Sequence, residues 1–370
     1  MGNKILTKII LFFRTNIFLA ALIAITLGLS IFLKPPLEQF PAFVDWKTIV
    51  TLTGLLLITT AIRESGLFYL TAYRISHRID DERFLALFMI FSALVLSTFL
   101  TNDIALFIIV PLTLSLQQIS GNNYTKMIVF EAIAVNSGSS LTSIGNPQNI
   151  FLAHKFGISF PVFVIQMAPT VLVMVLCLLI FILIFFPSKK IKLINYQHPE
   201  VDKKLFFISV LLLILFILSI ELKIEEYFLA VVFGCYLLFS RKAILKMDWG
   251  LIFLFIFLFI DLQLVCRLKI MQDLHAMLNL NNPNNLFLYT AFLSQGISNV
   301  PTSILLVNYS SNFKVIAYGV NIAGNGLIIG SFANLIAMRF IEDRSKYKMF
   351  HKYSLPYFLI TLGFTYFLLI

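Results

Sequence analysis

The sequence predicts an all-α polytopic membrane protein built from two inverted repeats, each with a re-entrant hairpin and a discontinuous helix, about nine full spans plus two hairpins. Three observations predict it. Hydrophobic residues make up 59% of the 370 and charged residues only 12%, against roughly a quarter charged in soluble domains. Apolar runs such as 162–186 and 205–220 approach the ~20 residues that cross a bilayer as helix. Finally, a set of polar motifs recurs in the same order in both halves of the chain.

Taken in order, apolar runs between charged loops give spans near 16–33, 46–62, 124–157 with a polar break, 165–186, 205–220, 226–240, 249–266, 313–338 with a second break, and 355–370. Two further stretches, 84–116 and 285–309, carry polar tips at Thr101-Asn102-Asp103 and Ser298-Asn299, and these read as hairpins that return to their own side. The first limb of about 17 residues would be about 25 Å long at helical rise, more than a midplane entry needs. Lys4, Lys8 and Arg14 precede the first apolar stretch as in a signal peptide, but no small-residue cleavage site follows, so the segment reads as the first membrane helix.

Charge tests this topology. With both hairpins returning, the loops 1–15, 63–83, 187–204, 241–248 and 339–353 share one side and hold twenty Lys or Arg; the loops 34–47, 221–226 and 267–284 hold five. The positive-inside bias then places the amino terminus in the cytoplasm. It also accounts for the net charge of +10: no basic face with interleaved aromatics points to nucleic acid as a partner. The stretch from Arg63 to Arg83 mixes apolar and basic residues and reads as an amphipathic helix on the membrane surface, the lipid bilayer being its partner.

Cys177, Cys235 and Cys266 stand singly, without CxxC spacing, and read as packing residues. The five histidines are scattered without metal-ligand spacing, so neither a metal site nor a cofactor is expected. The absence of a nucleophile elbow, a Walker loop or paired catalytic carboxylates argues against an ATP-driven pump or an intramembrane hydrolase, so the chain is not expected to be an enzyme.

The duplication organises the rest. Asp45-Trp46 matches Asp248-Trp249; Ser97 with Thr101-Asn102 matches Ser294 with Ser298-Asn299; and Asn136 followed by Ile144 to Asn149 matches Asn321 followed by Ile329 to Asn334. Residues 1–186 form the first repeat, with hairpin 84–116 and broken helix 124–157. A cytoplasmic linker covers 187–204, and residues 205–370 form the second repeat, with hairpin 285–309 and broken helix 313–338. Because the two Asp-Trp spans run in opposite directions, the repeats are inverted, an arrangement that lets one midplane site open to either face.

A helix can be broken inside a bilayer only where its freed carbonyls and amides are buried in protein or line a wet cavity. Asn136 to Ser140 with Gly145-Asn146-Pro147, and Ala323 to Gly326 with Gly330-Ser331, supply glycines, a proline, hydroxyls and amides for such breaks. Freed carbonyls suit Na⁺, and half-helix amino termini with side-chain amides suit an anion. The plainer alternative is that small residues merely allow close helix packing. Asp103 reads either as the coupling residue for Na⁺ or H⁺ or as a cap on the second hairpin limb. Asp261 reads as a buried partner for Arg267 or a polar neighbour, or as a proton handler, and Glu131 as interfacial.

At Thr98 to Asp103 with Pro111, Thr142 to Asn149, Ser298 to Pro301 and Asn321 to Asn325, the chain resembles the ion transporter superfamily of arsenite permeases, citrate and dicarboxylate carriers, sodium-sulfate symporters and NhaD-type antiporters. It resembles most the small bacterial members near the arsenite permease branch. The resemblance implies a homodimer in the bacterial inner membrane that moves substrate by an elevator motion, with no cofactor beyond a coupling Na⁺ or H⁺. Carried over by position, Ser97, Thr101, Asn102 and Asp103 join Asn136, Ser139, Thr142, Gly145, Asn146, Pro147 and Asn149 in one ion and substrate site. Ser294, Ser298, Asn299 and Thr302 join Asn321, Gly324, Asn325, Gly330, Ser331 and Asn334 in its partner.

The resemblance implies secondary transport of a small anion, citrate- or carboxylate-like or inorganic. The alternatives are a Na⁺/H⁺ antiporter without organic substrate and an arsenite-type efflux permease. Where the carboxylate carriers have threonine in their Ser-Asn-Thr tips, this chain has Asp103 and Val300. An ionised Asp103 would repel a dicarboxylate unless protonated or paired with a cation, which favours proton coupling or an inorganic or neutral substrate.

Overall fold

The computed structural model describes residues 17–44, 46–66, 74–75, 77–191, 201–222, 224–269, 279–307 and 309–370. Asp45 of the first Asp-Trp pair, most of the proposed surface helix at 67–73 and the linker residues 192–200 lie outside the described residues.

The described chain is helical throughout apart from an isolated bridge between Asp81 and Lys190. In order the helices are α1 (Ile17–Leu33), α2 (Phe40–Phe43), α3 (Trp46–Glu64), α4 (Glu82–Phe99), α5 (Asn102–Ser120), α6 (Thr125–Ser139), α7 (Pro147–Phe156) and α8 (Phe160–Phe185). They continue with α9 (Lys203–Glu221), α10 (Glu225–Phe239), α11 (Arg241–Lys246), α12 (Trp249–Cys266), α13 (Pro283–Ile297) and α14 (Asn299–Leu306). The last three are α15 (Phe313–Ala323), α16 (Phe332–Arg339) and α17 (Lys346–Leu369).

Side-chain oxygens start several of them by accepting orphan amides of the first turn. Asp81 accepts from Phe84 N at 2.9 Å, Asp248 from Leu251 N at 3.2 Å, Asn282 from Asn284 N at 2.9 Å and Asn312 from Val315 N at 3.2 Å. The Ser188 hydroxyl, more than the Phe84 amide, holds the Asp81 carboxyl below the usual carboxylate range.

Among the described residues α4, α5 and α8 are each long and apolar enough to cross a membrane alone. The limbs of the first hairpin have 18 and 19 residues, about 27 and 28 Å at helical rise, so each is longer than a midplane turn requires. The limbs of the second have 15 and 8. Both broken helices are interrupted where the motifs stand, between Ser139 and Pro147 and between Ala323 and Phe332.

The contacts divide the chain into two compact units, Met1–Glu64 with Lys203–Leu278 and Ser65–Asp202 with Asn279–Ile370. Each draws on both halves of the chain, so these units cut across the division by duplication.

In the first unit α1 packs on α12, and α3 packs on α9, α10 and α11. The two tryptophans of the Asp-Trp pairs act alike: each indole donates to a carbonyl five residues back, Trp46 to Pro41 O at 2.8 Å and Trp249 to Ile244 O at 3.1 Å. Asp261 is buried and accepts from Thr26 Oγ1 at 2.5 Å. Arg267 is not its partner, bonding Gln39 Oε1 at 2.8 Å and lying over the Phe43 ring. Gly54 on α3 lets the Phe216 ring of α9 approach so closely that a Cβ there would lie 2.1 Å from it.

In the second unit the packing follows the repeat. The first limb of each hairpin packs on the first half of the broken helix that follows it, α4 on α6 and α13 on α15. The second limb packs on the second half of the other broken helix, α5 on α16 and α14 on α7.

Overpacking a close-packed contact costs about 1–3 kcal/mol, so Gly54→Val should lower the thermal unfolding midpoint in detergent. Adding Phe216→Ala should restore part of the loss, because the ring is what the new methyl groups meet.

Candidate functional site

The two breaks of the second unit are held to each other by asparagine amides. A primary amide is suited to this because it carries two donors and an acceptor on one short side chain. Asn136, near the end of α6, donates from Nδ2 to Gly324 O at 2.9 Å and to Asn334 Oδ1 at 2.8 Å, and its Oδ1 accepts from Ser331 Oγ at 3.0 Å. Asn321, its counterpart near the end of α15, donates to Asn149 Oδ1 at 2.8 Å and accepts from Asn146 Nδ2 at 3.0 Å.

Aligned positions thus exchange matched bonds, Asn136 with Asn334 and Asn321 with Asn149. The same two distal asparagines close their own breaks: Asn149 Nδ2 donates to Ser139 O at 3.2 Å and Thr142 O at 3.0 Å, and Asn334 Nδ2 to Gly324 O at 2.8 Å and Leu327 O at 3.4 Å. All four asparagines are buried. Carbonyls freed by breaking the helix are thereby satisfied without water, as their burial demands. Gly145 and Gly330 permit the tight return of the chain, since a Cβ would lie 2.2 Å from Ser139 O in the first case and 2.7 Å from Ala323 O in the second.

Each hairpin is tied to the break of its own repeat. Asn102 N donates to Gly145 O at 2.8 Å, Thr98 Oγ1 to Gly138 O at 3.2 Å and Thr142 Oγ1 to Thr98 O at 2.9 Å. On the other side Gln295, aligned with Thr98, donates to Ala323 O at 2.9 Å and accepts from Leu327 N at 2.6 Å. The tip asparagines behave alike: Asn102 Oδ1 accepts from Asp103 N at 3.0 Å and Asn299 Oδ1 from Val300 N at 2.9 Å. Neither tip Nδ2 makes a hydrogen bond among the described residues, and that of Asn299 lies 3.6 Å from where a Cβ on Gly324 would stand.

The tips differ in backbone. Thr101 is extended at φ −67° and ψ 152°, without a side-chain cap bond, whereas the buried Ser298 takes φ 74° and ψ 161°. A non-glycine residue there stores strain of order 1–3 kcal/mol, and such strain concentrates at ligand clamps.

The remaining expected residues divide into groups. Ser97, Ser294 and Thr302 spend their hydroxyl hydrogens inside the hairpins, on Leu94 O, Thr290 O and Ser298 O at 2.8–2.9 Å. Pro147 opens α7. Asn325 points elsewhere, with Nδ2 3.4 Å from Ser137 Oγ and 3.8 Å from Met174 Sδ. Oxygen atoms left over in buried positions, without a partner among the described residues, include Asp103 Oδ1, Gln148 Oε1 and Asn325 Oδ1. Asp103 therefore does not cap α5, because the amide-accepting oxygen at this end belongs to Asn102. Amide donors left without a bond suit an oxyanion, and a carboxylate oxygen left without one suits a cation.

Sequence reasoning passed over several supports. Gln295 and Thr98 act as the struts just described. On α17, Ser354 Oγ donates to Gly326 O at 2.8 Å, and Tyr357 OH bridges Ser137 Oγ at 3.0 Å and Met174 O at 2.7 Å. His351 Nδ1 meets Tyr347 O, which can only accept, so Nε2 is the acceptor for Ile328 N at 3.3 Å. Glu131 is not interfacial: it is 0% exposed and bonded to Thr113.

Residues 8–314 match the model of the citrate transporter family. The chain belongs to the citrate transporter family. It is similar to inner membrane protein YbiR of Escherichia coli, 41% identical over 340 residues that cover 92% of this chain and 91% of that one. It is likewise similar to an uncharacterized transporter of Methanocaldococcus jannaschii, 37% identical over 309 residues, 82% of this chain and 83% of that one. With its apolar helices, this citrate transporter family chain is an integral membrane protein and a membrane transporter.

Asn136→Ala and Asn321→Ala should each destabilise the protein by about 1–3 kcal/mol for every buried group they orphan. A double-mutant cycle of Asn136→Ala with Asn334→Ala, read from unfolding midpoints in detergent, should give a coupling of about 0.5–3 kcal/mol, and the Asn321 and Asn149 pair a similar value.

Proposed function

We propose that this chain is a secondary active transporter that carries a small oxyanion together with H⁺ or Na⁺ through the two-tip site, rather than an enzyme. The observation that carries the reading is the pair of tip asparagines whose amide oxygens are tied back while their Nδ2 groups make no bond among the described residues. Two such donors, with the amino termini of α5 and α14 behind them, offer an oxyanion hydrogen bonds and a favourable dipole field.

Asp103 makes the coupling obligatory. A carboxylate in the first turn of α5 repels an anion held at Asn102, so anion and cation bind best together: a proton or Na⁺ on Asp103 removes the repulsion. The orphan Asp103 Oδ1 supports this role, because a buried carboxylate oxygen without a partner is costly unless a proton or cation completes it.

The excess of Lys and Arg in alternate loops and the likeness to an Escherichia coli inner membrane protein support an inner-membrane location with a cytoplasmic amino terminus.

Purified protein in proteoliposomes should take up at least one of citrate, succinate, sulfate or arsenite faster when a proton or sodium gradient is imposed. Asp103→Asn should lower the gradient-driven part about 5–150-fold, the range of a coupling of about 1–3 kcal/mol. Failure of every gradient to drive any of the four would remove the reading, and sodium-induced proton release without anion uptake would replace it with a Na⁺/H⁺ antiporter.

A further inference from the structure

Beyond the two-tip site, the second unit buries another carboxyl group that the reading above does not use. Glu131 stands on α6, wholly enclosed, and shares a hydrogen bond with Thr113 of α5, itself 0% exposed. Only Oε1 takes part; Oε2 is buried without a partner among the described residues.

The charged and titratable groups on the helices packed against α6 are Glu82 and Arg83 on α4, Asp103 on α5, Cys177 on α8, Lys314 and Tyr318 on α15 and Arg339 on α16. On α17 they are Lys346, Lys348, His351, Lys352 and four tyrosines. Among the described residues no ion pair to Glu131 is formed, and Lys126 of its own helix is engaged with Phe185 O at 2.8 Å and Glu82 at 3.9 Å.

An ionised carboxylate here would have no compensating cation and only one hydrogen-bond donor, Thr113, in an environment that penalises unpaired charge heavily. A neutral carboxyl keeps the Thr113 bond and leaves only one polar atom unsatisfied, a far smaller cost. Position adds to this. Glu131 lies five residues from Asn136, where the first break is tied, and five from Lys126 near the exposed Gly121 to Asn123 turn, about 7.5 Å along the axis in each direction. Its partner Thr113 belongs to the helix that begins at the Asn102–Asp103 tip.

We propose that Glu131 is an exchangeable proton site of the second unit, set between the break and the end of α6, and that the proton it takes up and releases is a coupling ion of transport. This rests on the transporter reading above and names H⁺ as an ion that reading uses.

Infrared spectroscopy of the protein in lipid vesicles tests the site without any substrate. One component of the protonated-carboxyl C=O stretch should be present in the wild type, persist in Asp103→Asn and Asp261→Asn, shift in Thr113→Val, vanish in Glu131→Gln and respond reversibly to bulk pH. In parallel, an internal pH dye should show that Glu131→Gln moves at least about twofold fewer protons per anion, Asp103 keeping its own share, while exchange of labelled for unlabelled anion stays at the wild-type rate. The proposal is overturned if the band is absent, ignores pH, or survives in Glu131→Gln, or if that variant keeps its full proton movement. Should the wild type carry none of the anions tried, the transporter reading fails while the pH response of the band still decides whether Glu131 exchanges its proton.

Discussion

The second unit depends on the crossed asparagine bonds between its two broken helices. Interrupting a helix inside a membrane frees carbonyls that neither lipid nor bulk water can satisfy. Here Asn136 and Asn334 on one diagonal, and Asn321 and Asn149 on the other, take up those carbonyls and bond each other. Because the bridging groups come from both halves of the sequence, neither break is complete without the other. The hairpins are then fixed to the breaks by Asn102, Thr98 and Gln295.

Tying so many amides into structure limits what remains for a ligand. The asparagines of the breaks are largely spent on one another, and their oxygens are not an open ring of cation ligands in this arrangement. What stays available is narrow: two tip amide nitrogens and a few buried oxygens, chief among them Asp103 Oδ1. Such a division leaves most polar groups of the breaks satisfied inside the protein and few free to bond anything else. The positive-φ Ser298 at one tip only breaks the equivalence of the two tips.

The all-α fold and the places of both breaks were legible because their signals are local: apolar run length sets a membrane helix, and clusters such as Gly145-Asn146-Pro147 cannot continue one. The motif asparagines the structure brings together were legible through repetition, since matched residues in two copies stand out where single polar residues do not. The struts were less visible. Thr98 and Gln295 do the same work with different side chains, so a search for identical residues passes over them. His351 and Ser354 lie in a span whose start reads as a charged loop, because the helix begins nine residues before the apolar run does. Glu131 reads as interfacial from its place early in a span, but α6 is surrounded by other helices, and only tertiary packing decides that. The compact units likewise depend on contacts between distant segments, which no local pattern encodes.

The matched bonds also bear on how a symmetric frame can serve transport. If aligned positions make equivalent interactions, exchanging the roles of the two halves costs little energy, and a small bias from a bound ion can decide which arrangement is occupied. Carboxyl groups are effective sources of that bias because each proton gained or lost changes a whole unit of charge in a medium that screens poorly. Asp103 stands in the first turn of α5, and Glu131 meets the same helix through Thr113, ten residues further along. Both carboxyl groups thus meet α5, which also packs on α16 of the other broken helix.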